Sequence, residues 1–388
     1  MTVQSRGGLP YWRLSTYYFF YFASLGALVP YWGLFLQSRG FGPLAIGELM
    51  ATLAGTKIVA PMIWGHLVDR SGRRMPLVRL ATLAAVLAFG LVFAADGFWS
   101  MAAAMTLFSF FWNASLPQME AVTFNHLGHR VVRYAQIRLW GSVGFILVVA
   151  GLGLQLEHAP LSVVPVWVGT LFVLLWASSL RIPDSRPVQG EEPGQSLRGL
   201  LRRTDVQAFL GACFLMQLGH GAYYAFYSIH LKSAGYSSTA VGALWALGVT
   251  AEVMVFLVMH RLLVRFGARR VLMGSLALAA VRWILIGAFV ASPPVQILAQ
   301  TLHAATFGTF HAAAIHLVHH YFPGRTQGRG QAIYNSLSFG AGGAAGSLMG
   351  GLLWEWPGGA LATFSLGAVA ALLGLTAVWR WVDLERRY

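Results

Sequence analysis

Long apolar stretches separated by short polar connections run through the whole sequence. Each stretch holds about 20 mostly apolar residues, which is the length that an α-helix needs to cross the hydrocarbon core of a bilayer. The pattern predicts an all-α membrane protein with twelve transmembrane helices. The predicted spans are 14–36, 44–67, 77–95, 99–123, 135–156, 161–180, 206–231, 239–260, 271–291, 294–317, 328–352 and 360–381.

The composition agrees with this pattern and excludes several classes of protein. Only 10% of the 388 residues are charged, whereas a soluble domain carries about 25%, so a cytosolic enzyme and a disordered chain are excluded. The net charge of +14 does not indicate nucleic-acid binding, because the basic residues lie in short clusters between apolar runs. The single cysteine, Cys213, excludes a disulfide framework and a cysteine-based zinc site, and no cofactor motif is present.

The basic residues indicate which way the chain crosses the membrane. Arg39 and Lys232 fall in connections on one side, whereas the N-terminus, the even-numbered connections and the C-terminus carry the large majority. Loops on the cytoplasmic side carry an excess of Lys and Arg, so both termini are expected in the cytoplasm. The first apolar run, from Leu14, has no small-residue cleavage site and predicts a membrane helix rather than a signal peptide.

The sequence also contains an internal repeat. Residues 36–41 (LQSRGF) reappear as 231–236 (LKSAGY), an offset of 195 positions that holds from the first predicted helix to the connection after the second. Six helices per repeat preserve orientation, so the halves are predicted to be parallel repeats about an axis normal to the membrane. The predicted division is an N-terminal six-helix bundle (1–180), a cytoplasmic linker (181–205) and a C-terminal six-helix bundle (206–388).

The connection between predicted helices 2 and 3 resembles a known motif. Residues 65–74, GHLVDRSGRR, are similar to the signature loop of the major facilitator superfamily, and 261–270 is a degraded copy without the aspartate. The resemblance implies the major facilitator fold, with a substrate site near mid-membrane between the two bundles. It also implies a gating role on the cytoplasmic side for Gly65, Asp69, Arg70, Gly72, Arg73 and Arg74. The alternative is that these arginines only anchor the topology.

Six ionisable residues fall within the predicted spans, where a charge costs at least about 2.5–3.5 kcal/mol to insert. They are Lys57, Glu120, Arg138, Glu252, Arg282 and His303. Glu120 and Arg138 lie on adjacent helices and are expected partners, either in a substrate site or as a structural ion pair. Lys57 and Glu252 are repeat-equivalent, so we expect them at similar depth in opposite halves, either facing each other or each paired within its own half.

The histidines of predicted helix 10 have two interpretations. His303 lies near the middle of the span and can exchange protons near neutral pH. The alternative is a neutral, hydrogen-bonded core histidine. His316, His319 and His320 would share a helix face, but without a carboxylate from a further helix they do not predict a metal site.

Several of these positions resemble the lactose-permease branch of proton-coupled symporters. The similar stretches are 117–121 (PQMEA), 138–141 (RLWG), 251–252, 281–282 and 301–303. The resemblance implies that a carboxylate and an arginine of helices 4 and 5 grip the substrate. It also implies a proton-coupling set of Glu120, Glu252, Arg282 and His303. One position departs from the branch, because Thr306 stands where the branch has a proton-carrying glutamate.

The 3-phenylpropionate permease family is a closer match. The similar stretches are 17–26, 30–33, 57–61, 64–65 and 302–308. A substrate of that kind has an aromatic ring and a carboxylate, so its site needs an aromatic wall and a buried cation. The predicted substrate-binding residues are Tyr18, Trp32, Lys57, Glu120, Arg138 and Tyr224. The aromatic residues among them would otherwise be packing or membrane-interface residues.

The sequence therefore predicts a proton-coupled secondary transporter, not an enzyme, that imports a small organic solute by alternating access. The first choice of solute is an aromatic monocarboxylate such as 3-phenylpropionate, and the alternative is a sugar, oligosaccharide or nucleoside. A drug/proton antiporter and a membrane-embedded hydrolase are less favoured. The expected partners are the substrate, protons and the lipid bilayer, with no nucleic acid, and the short loops favour a monomer. The resemblance implies a bacterial inner (plasma) membrane protein.

Overall fold

The computed structural model describes residues 9–128, 130, 133–184 and 197–383. Within these ranges the chain has no β-strand and folds into twelve long helical segments. The first six are α1 (Tyr11–Ser38), α2 (Pro43–Ser71), α3 (Met75–Gly90, continued by a 3₁₀ turn Leu91–Ala94), α4 (Phe98–Leu127), α5 (Arg133–Gln155) and α6 (Val163–Leu180). The other six are α7 (Thr204–Ser233), α8 (238–266), α9 (268–288), α10 (293–321), α11 (327–354) and α12 (Gly359–Trp381).

The helices have the length and composition of membrane spans. In the described ranges, seven continuous helices are long and apolar enough to cross a membrane, and one of these is the run Ser238–Ala288 that contains both α8 and α9. Helices α10 and α11 are each interrupted by a π-helical segment, Ala304–Thr309 and Ser336–Gly342. Helices α4 and α7 bury polar side chains, which include Asn113, Gln118, Gln217 and His220. The twelve-helix prediction is confirmed.

The connection between α8 and α9 is shorter than predicted. The sequence placed a ten-residue connection at 261–270, but helical structure continues through Ser238–Ala288 and is broken only at Gly267. Gly267 has φ +75° and ψ 153°, a conformation that residues with a side chain rarely adopt. A single glycine therefore makes the turn for which the apolar pattern predicted a loop.

The internal repeat is visible in the backbone. Gly40 ends α1 with φ +84° and its equivalent Gly235 ends α7 with φ +86°. After each glycine the next amide donates back to the same helix position, Phe41 to Leu36 at 3.2 Å and Tyr236 to Leu231 at 3.1 Å. The two halves therefore use the same helix termination at equivalent positions.

Equivalent helices also pack in the same way in both halves. Helix α1 packs on α5 and α6, and α7 packs on α11 and α12. Between the halves, α2 packs on α11, α5 on α8, and α1 on α7. The predicted domain division stays a prediction, because 185–196 lies outside the described residues. The adjoining segment Leu197–Leu201 is a short helix whose Leu200 is buried.

Candidate functional site

A cavity lies between the two halves, where α1, α2, α4, α7 and α11 meet. Its lining residues come from the middle of these helices, so the cavity lies at mid-depth in the bundle. Most of the wall is apolar. The lining includes Leu25, Leu28, Met50, Lys57 and Trp112 from the first half, and Gln217, Tyr224, Phe339 and Ser347 from the second.

Lys57 is the charged residue of this cavity. It projects from the middle of α2, and it has no hydrogen bond or ion pair within 4.0 Å in the part of the chain that the structure describes. Trp112, Tyr224 and Phe339 supply aromatic surface in the same wall. A cation in apolar surroundings is stable only with compensating charge or hydrogen bonds. The cavity is therefore suited to a ligand that combines an anionic group with an apolar body.

The predicted pair Glu120 and Arg138 lies on adjacent helices, but each side chain has its own contacts. Tyr134 donates to Oε1 of Glu120 at 3.2 Å. The guanidinium of Arg138 lies over the ring of Phe22, 3.6 Å from its centroid. No ion pair within 4.0 Å joins Glu120 to Arg138, both of which are described residues.

The predicted aromatic residues occupy three different places. Tyr224 lines the cavity. Tyr18 is buried in the first half, with its hydroxyl 3.1 Å from that of Thr123. Trp32 lies inside the first half, where its indole nitrogen contacts the sulfur of Met105 at 3.4 Å and its ring packs on Phe89. Only Tyr224 of the three belongs to the lining of the Lys57 cavity.

Glu252 and His303 form the ionisable pair of the second half. Oε2 of Glu252 lies 3.9 Å from Nε2 of His303, and both side chains are largely buried. The Glu252 side chain fits against Gly308, because a methyl group added there would lie 2.8 Å from its Cγ. Gly308 belongs to the π-helical segment of α10, and such segments occur frequently at functional sites. Glu252 is not within ion-pair distance of Lys57, both of which are described.

Arg282 lies deeper in the second half and is fully buried. Its Nε donates to the carbonyl of Ala299 at 2.9 Å, and its Nη1 donates to Oγ1 of Thr306 at 3.2 Å. The guanidinium also lies over the ring of Tyr223, 4.5 Å from the centroid. Arg282 is therefore held by neutral groups from α7 and α10.

Glycines bring the two halves together at one end of the bundle. A methyl group added at Gly47 would lie 2.6 Å from the carbonyl oxygen of Ser347 and 2.9 Å from Cα of Gly351. One added at Gly242 would lie 2.6 Å from the carbonyl oxygen of Val149 and 3.3 Å from Cα of Gly153. Small residues allow helix backbones to approach this closely. We call these four glycines the glycine clasp; they join α2 to α11 and α5 to α8.

A carboxylate reinforces the clasped end. Oε2 of Glu157, in the α5–α6 connection, accepts hydrogen bonds from the amide of Thr239 at 3.1 Å and from its hydroxyl at 3.2 Å. The pKa of Glu157 is lowered below its ordinary value of 4.5, and the hydrogen bond from the Thr239 amide makes the largest contribution to this shift. Thr239 lies in the first turn of α8, so Glu157 links the two halves at the end where the odd-numbered connections lie.

Comparison with known sequences assigns the family. A sequence model of the MFS_1 like family matches residues 11–366. The chain belongs to this family. The probable 3-phenylpropionic acid transporter of Escherichia coli (strain K12) is 31% identical over 351 residues, which cover 88% of this chain and 90% of that protein. The maltose permease of Geobacillus stearothermophilus is 28% identical over 380 residues, covering 95% and 94%.

Comparison with solved structures agrees on the fold. A crystal structure of a mutant of the nucleoside transporter NupG matches with a TM-score of 0.84 at 16% identity, over 96% of this chain and 100% of that one. The MFS_1 like protein is accordingly an integral membrane transporter of the secondary class, with the predicted major facilitator fold, and it is not an enzyme.

The signature loop of this MFS_1 like transporter caps the end opposite the clasp. Gly72 ends α2 with φ +65°, and its amide donates to the carbonyl of Val68 at 2.9 Å. Arg74 donates to the side chain of Gln118 on α4 at 3.1 Å, whereas Arg70 and Arg73 are exposed. Gly65 faces Gln118 at ordinary contact distance. The side chain of Asp69 lies outside the described residues.

Trp112, Gln217 and Phe339 line the cavity but were not among the predicted site residues. Trp112 and Phe339 sit in apolar runs, where nothing in the sequence separates a cavity aromatic from a packing aromatic. Gln217 is a polar residue in the middle of α7, and its Nε2 is buried without a hydrogen-bond partner in the described chain. An uncharged polar residue in the middle of a predicted span is the sequence signal for Gln217.

Proposed function

We propose that this transporter is a proton-coupled symporter that imports small aromatic monocarboxylates, with 3-phenylpropionate as the first substrate to test. The unpaired ammonium group of Lys57 in an aromatic-walled cavity is the observation that carries the proposal. A charge-assisted hydrogen bond to a carboxylate would compensate this cation, and the ring of the substrate would contact Trp112, Tyr224 and Phe339. The name of the Escherichia coli relative supports the same class of solute.

A sugar or nucleoside symporter is the second candidate. It is favoured by the similarity to a maltose permease over 95% of this chain. The composition of the cavity favours the carboxylate, because no acidic residue belongs to the lining that the structure describes. A sugar or nucleoside carries several hydroxyls, and carboxylate side chains are the groups that can accept hydrogen bonds from several hydroxyls at once.

Proton coupling is assigned to Glu252 together with His303. Glu252 lies within a predicted membrane span, and its Oε2 is 3.9 Å from Nε2 of His303. A carboxylate that moves between a dry, unpaired environment and a wet or cation-paired one takes up and releases a proton in each cycle. Glu120, Arg138 and Tyr18 then form a supporting polar cluster beside the cavity, and Arg282 a separate one behind it.

Uptake into proteoliposomes tests the proposal. Labelled 3-phenylpropionate is expected to accumulate only with an inward proton gradient. Glu252→Gln is expected to reduce this uptake to the level without a gradient, because the coupled proton is lost, while exchange across equilibrated membranes is retained. The matched control is Glu355→Gln, a carboxylate exposed in the α11–α12 connection. Gradient-driven uptake at the wild-type rate by Glu252→Gln would contradict the assignment of the proton site.

We further propose that both termini are cytoplasmic, so that the glycine clasp closes the outer side of an inner membrane, and that the transporter works as a monomer. The excess of Lys and Arg in the even-numbered connections supports this orientation. The structure then corresponds to a state sealed from outside.

Acid on the outer face is expected to weaken this seal through Glu157. The lowered pKa means that the bonds to Thr239 stabilise the closed end fully above about pH 4.5 and are lost as the pH falls through the lowered value. Glu157→Ala should open the outer side up to about fivefold more often at neutral pH and remove the acid effect.

A cysteine at the cavity position Met50, in a Cys213→Ser background, reports this opening in intact cells through labelling by a membrane-impermeant maleimide. Glu355→Ala is the control for a lost surface charge. Equal labelling of Glu157→Ala and its parent at every pH would show that the Glu157 bonds do not hold the outer side closed.

A further inference from the structure

Arg282 carries a buried charge that no acidic side chain balances. The residue has no accessible surface, and in the described ranges no carboxylate lies within 4.0 Å of its guanidinium. Its two acceptors, the carbonyl of Ala299 and the hydroxyl of Thr306, are both neutral. A buried cation is normally paired with an anion, because neutral acceptors compensate its lost hydration only in part.

Aromatic rings cover part of the guanidinium. Its Cζ lies 4.5 Å from the ring centroid of Tyr223 and 4.6 Å from that of Trp283. Such contacts attract a cation but supply no negative charge. The rings cover Arg282 but leave the need for an anion unmet.

Two of the unpaired polar atoms around Arg282 are donors. Nη2 of Arg282 has no hydrogen-bond partner in the described chain. Nε2 of Gln300, which is fully buried beside Ala299, is also without one. The other end of the Gln300 amide, Oε1, accepts the hydroxyl of Tyr223 at 3.0 Å. A cation and an amide donor that share Tyr223 as a neighbour need an acceptor, and a small anion is the acceptor that also balances the charge.

One layer of rings separates this cluster from the cavity. The ring of Tyr224, in the cavity wall, lies 5.9 Å from the ring of His220. The His220 ring lies 6.1 Å from the ring of His303. Phe339, also in the wall, lies 6.0 Å from Phe307. Aromatic and imidazole rings therefore connect the cavity wall to the side chains beside Arg282.

We propose that Arg282 and Gln300 form a binding site for a compact monovalent anion in the C-terminal half, separate from the cavity at Lys57. The ligand is either an inorganic ion of the size of chloride or the carboxylate of an organic acid. Thr306 lies at the edge of the site through its bond to Nη1. The bound anion balances the guanidinium and stabilises the packing of α7, α9 and α10 around it. This inference does not depend on which solute the transporter carries.

Thermal unfolding of the purified full-length protein in detergent tests the proposal. In a gluconate buffer of constant ionic strength, added chloride or bromide is expected to raise the unfolding midpoint in a saturable way. Thr306→Glu places a carboxylate beside Nη1 and should weaken the apparent chloride affinity at least about tenfold. The matched control is Thr306→Val, because valine has the shape of threonine and adds no carboxylate. This variant should keep the chloride response. Arg282→Gln should remove it.

The source of the anion is distinguished by a second titration with 3-phenylpropionate in Lys57→Met. A chloride response that persists in this variant, without a response to the acid, identifies an inorganic ion. A response only to the acid identifies a carboxylate ligand at Arg282. The proposal is overturned if wild-type protein responds to neither anion, or if the response is unchanged in both Arg282→Gln and Thr306→Glu. Should Arg282→Gln fail to fold, the comparison of Thr306→Glu with Thr306→Val decides alone.

Discussion

Replacing Lys57 by methionine is expected to lower the affinity for 3-phenylpropionate by about 10- to 150-fold. The estimate follows from the loss of one hydrogen bond to a charged group, worth about 1.5–3 kcal/mol, at about 1.4 kcal/mol for each factor of ten. Methionine keeps an unbranched apolar side chain in the cavity, so the change removes the charge with little change in packing. The measurement is the concentration dependence of uptake into proteoliposomes.

The chain provides a matched control for this variant. Its other lysine, Lys232, lies at the end of α7 and is exposed, with Nζ 3.4 Å from the hydroxyl of Ser238. Lys232→Met should transport the acid with unchanged affinity. If Lys57→Met also kept the wild-type affinity, the carboxylate would bind elsewhere, and the proposed substrate site would be wrong. If it transported a neutral solute better than the acid, the cavity would still be the site and the charge would set its selectivity.

Gly47→Ala is expected to increase the population that is open to the outside by about 5- to 150-fold. The added methyl group would lie 2.6 Å from the carbonyl oxygen of Ser347 and 2.9 Å from Cα of Gly351, so α2 and α11 must separate. Overpacking of this kind costs about 1–3 kcal/mol, and the cost falls only on the state in which the clasp is closed. The rate of maleimide labelling at the cavity cysteine in place of Met50 measures the change.

Helix α2 also contains the control for this prediction. A methyl group added at Gly55 has no heavy atom within 4 Å, so Gly55→Ala has the same effect on helix propensity without the clash. Its labelling rate should equal that of the parent. Equal rates for both variants would mean that the helices absorb the added methyl group without opening. An unchanged unfolding midpoint of Gly47→Ala would show that the increase reflects opening rather than loss of structure.

The sequence was sufficient for the architecture. The length of the apolar runs gave the number of helices, because the bilayer sets the length of each span. The repeat at an offset of 195 pairs Gly40 with Gly235, and the structure gives both residues a positive φ. The turn at Gly267 was less accessible, because the apolar pattern does not distinguish a one-residue turn from a short loop.

The site was only partly predictable. Charge in an apolar helix is a strong signal, and it correctly drew attention to Lys57, which lines the cavity. The contacts of each charged side chain were harder to predict. That two helices are adjacent did not show that Tyr134 donates to the Glu120 carboxylate, or that the Arg138 guanidinium packs on Phe22. Trp32 and Tyr224 both belong to helices with several aromatic residues, and only the packing shows which of them reaches the cavity.

The glycine clasp lies at one end of the bundle, whereas the cavity lies among the middle turns. The two share helices α2 and α11 but no residue, although the cavity residue Ser347 meets Gly47 through its carbonyl. Solute preference can therefore diverge among descendants of such a transporter while the opening machinery is inherited unchanged. Because of the same separation, substitutions at Trp112, Gln217 and Phe339 are the ones expected to change which solutes the transporter accepts.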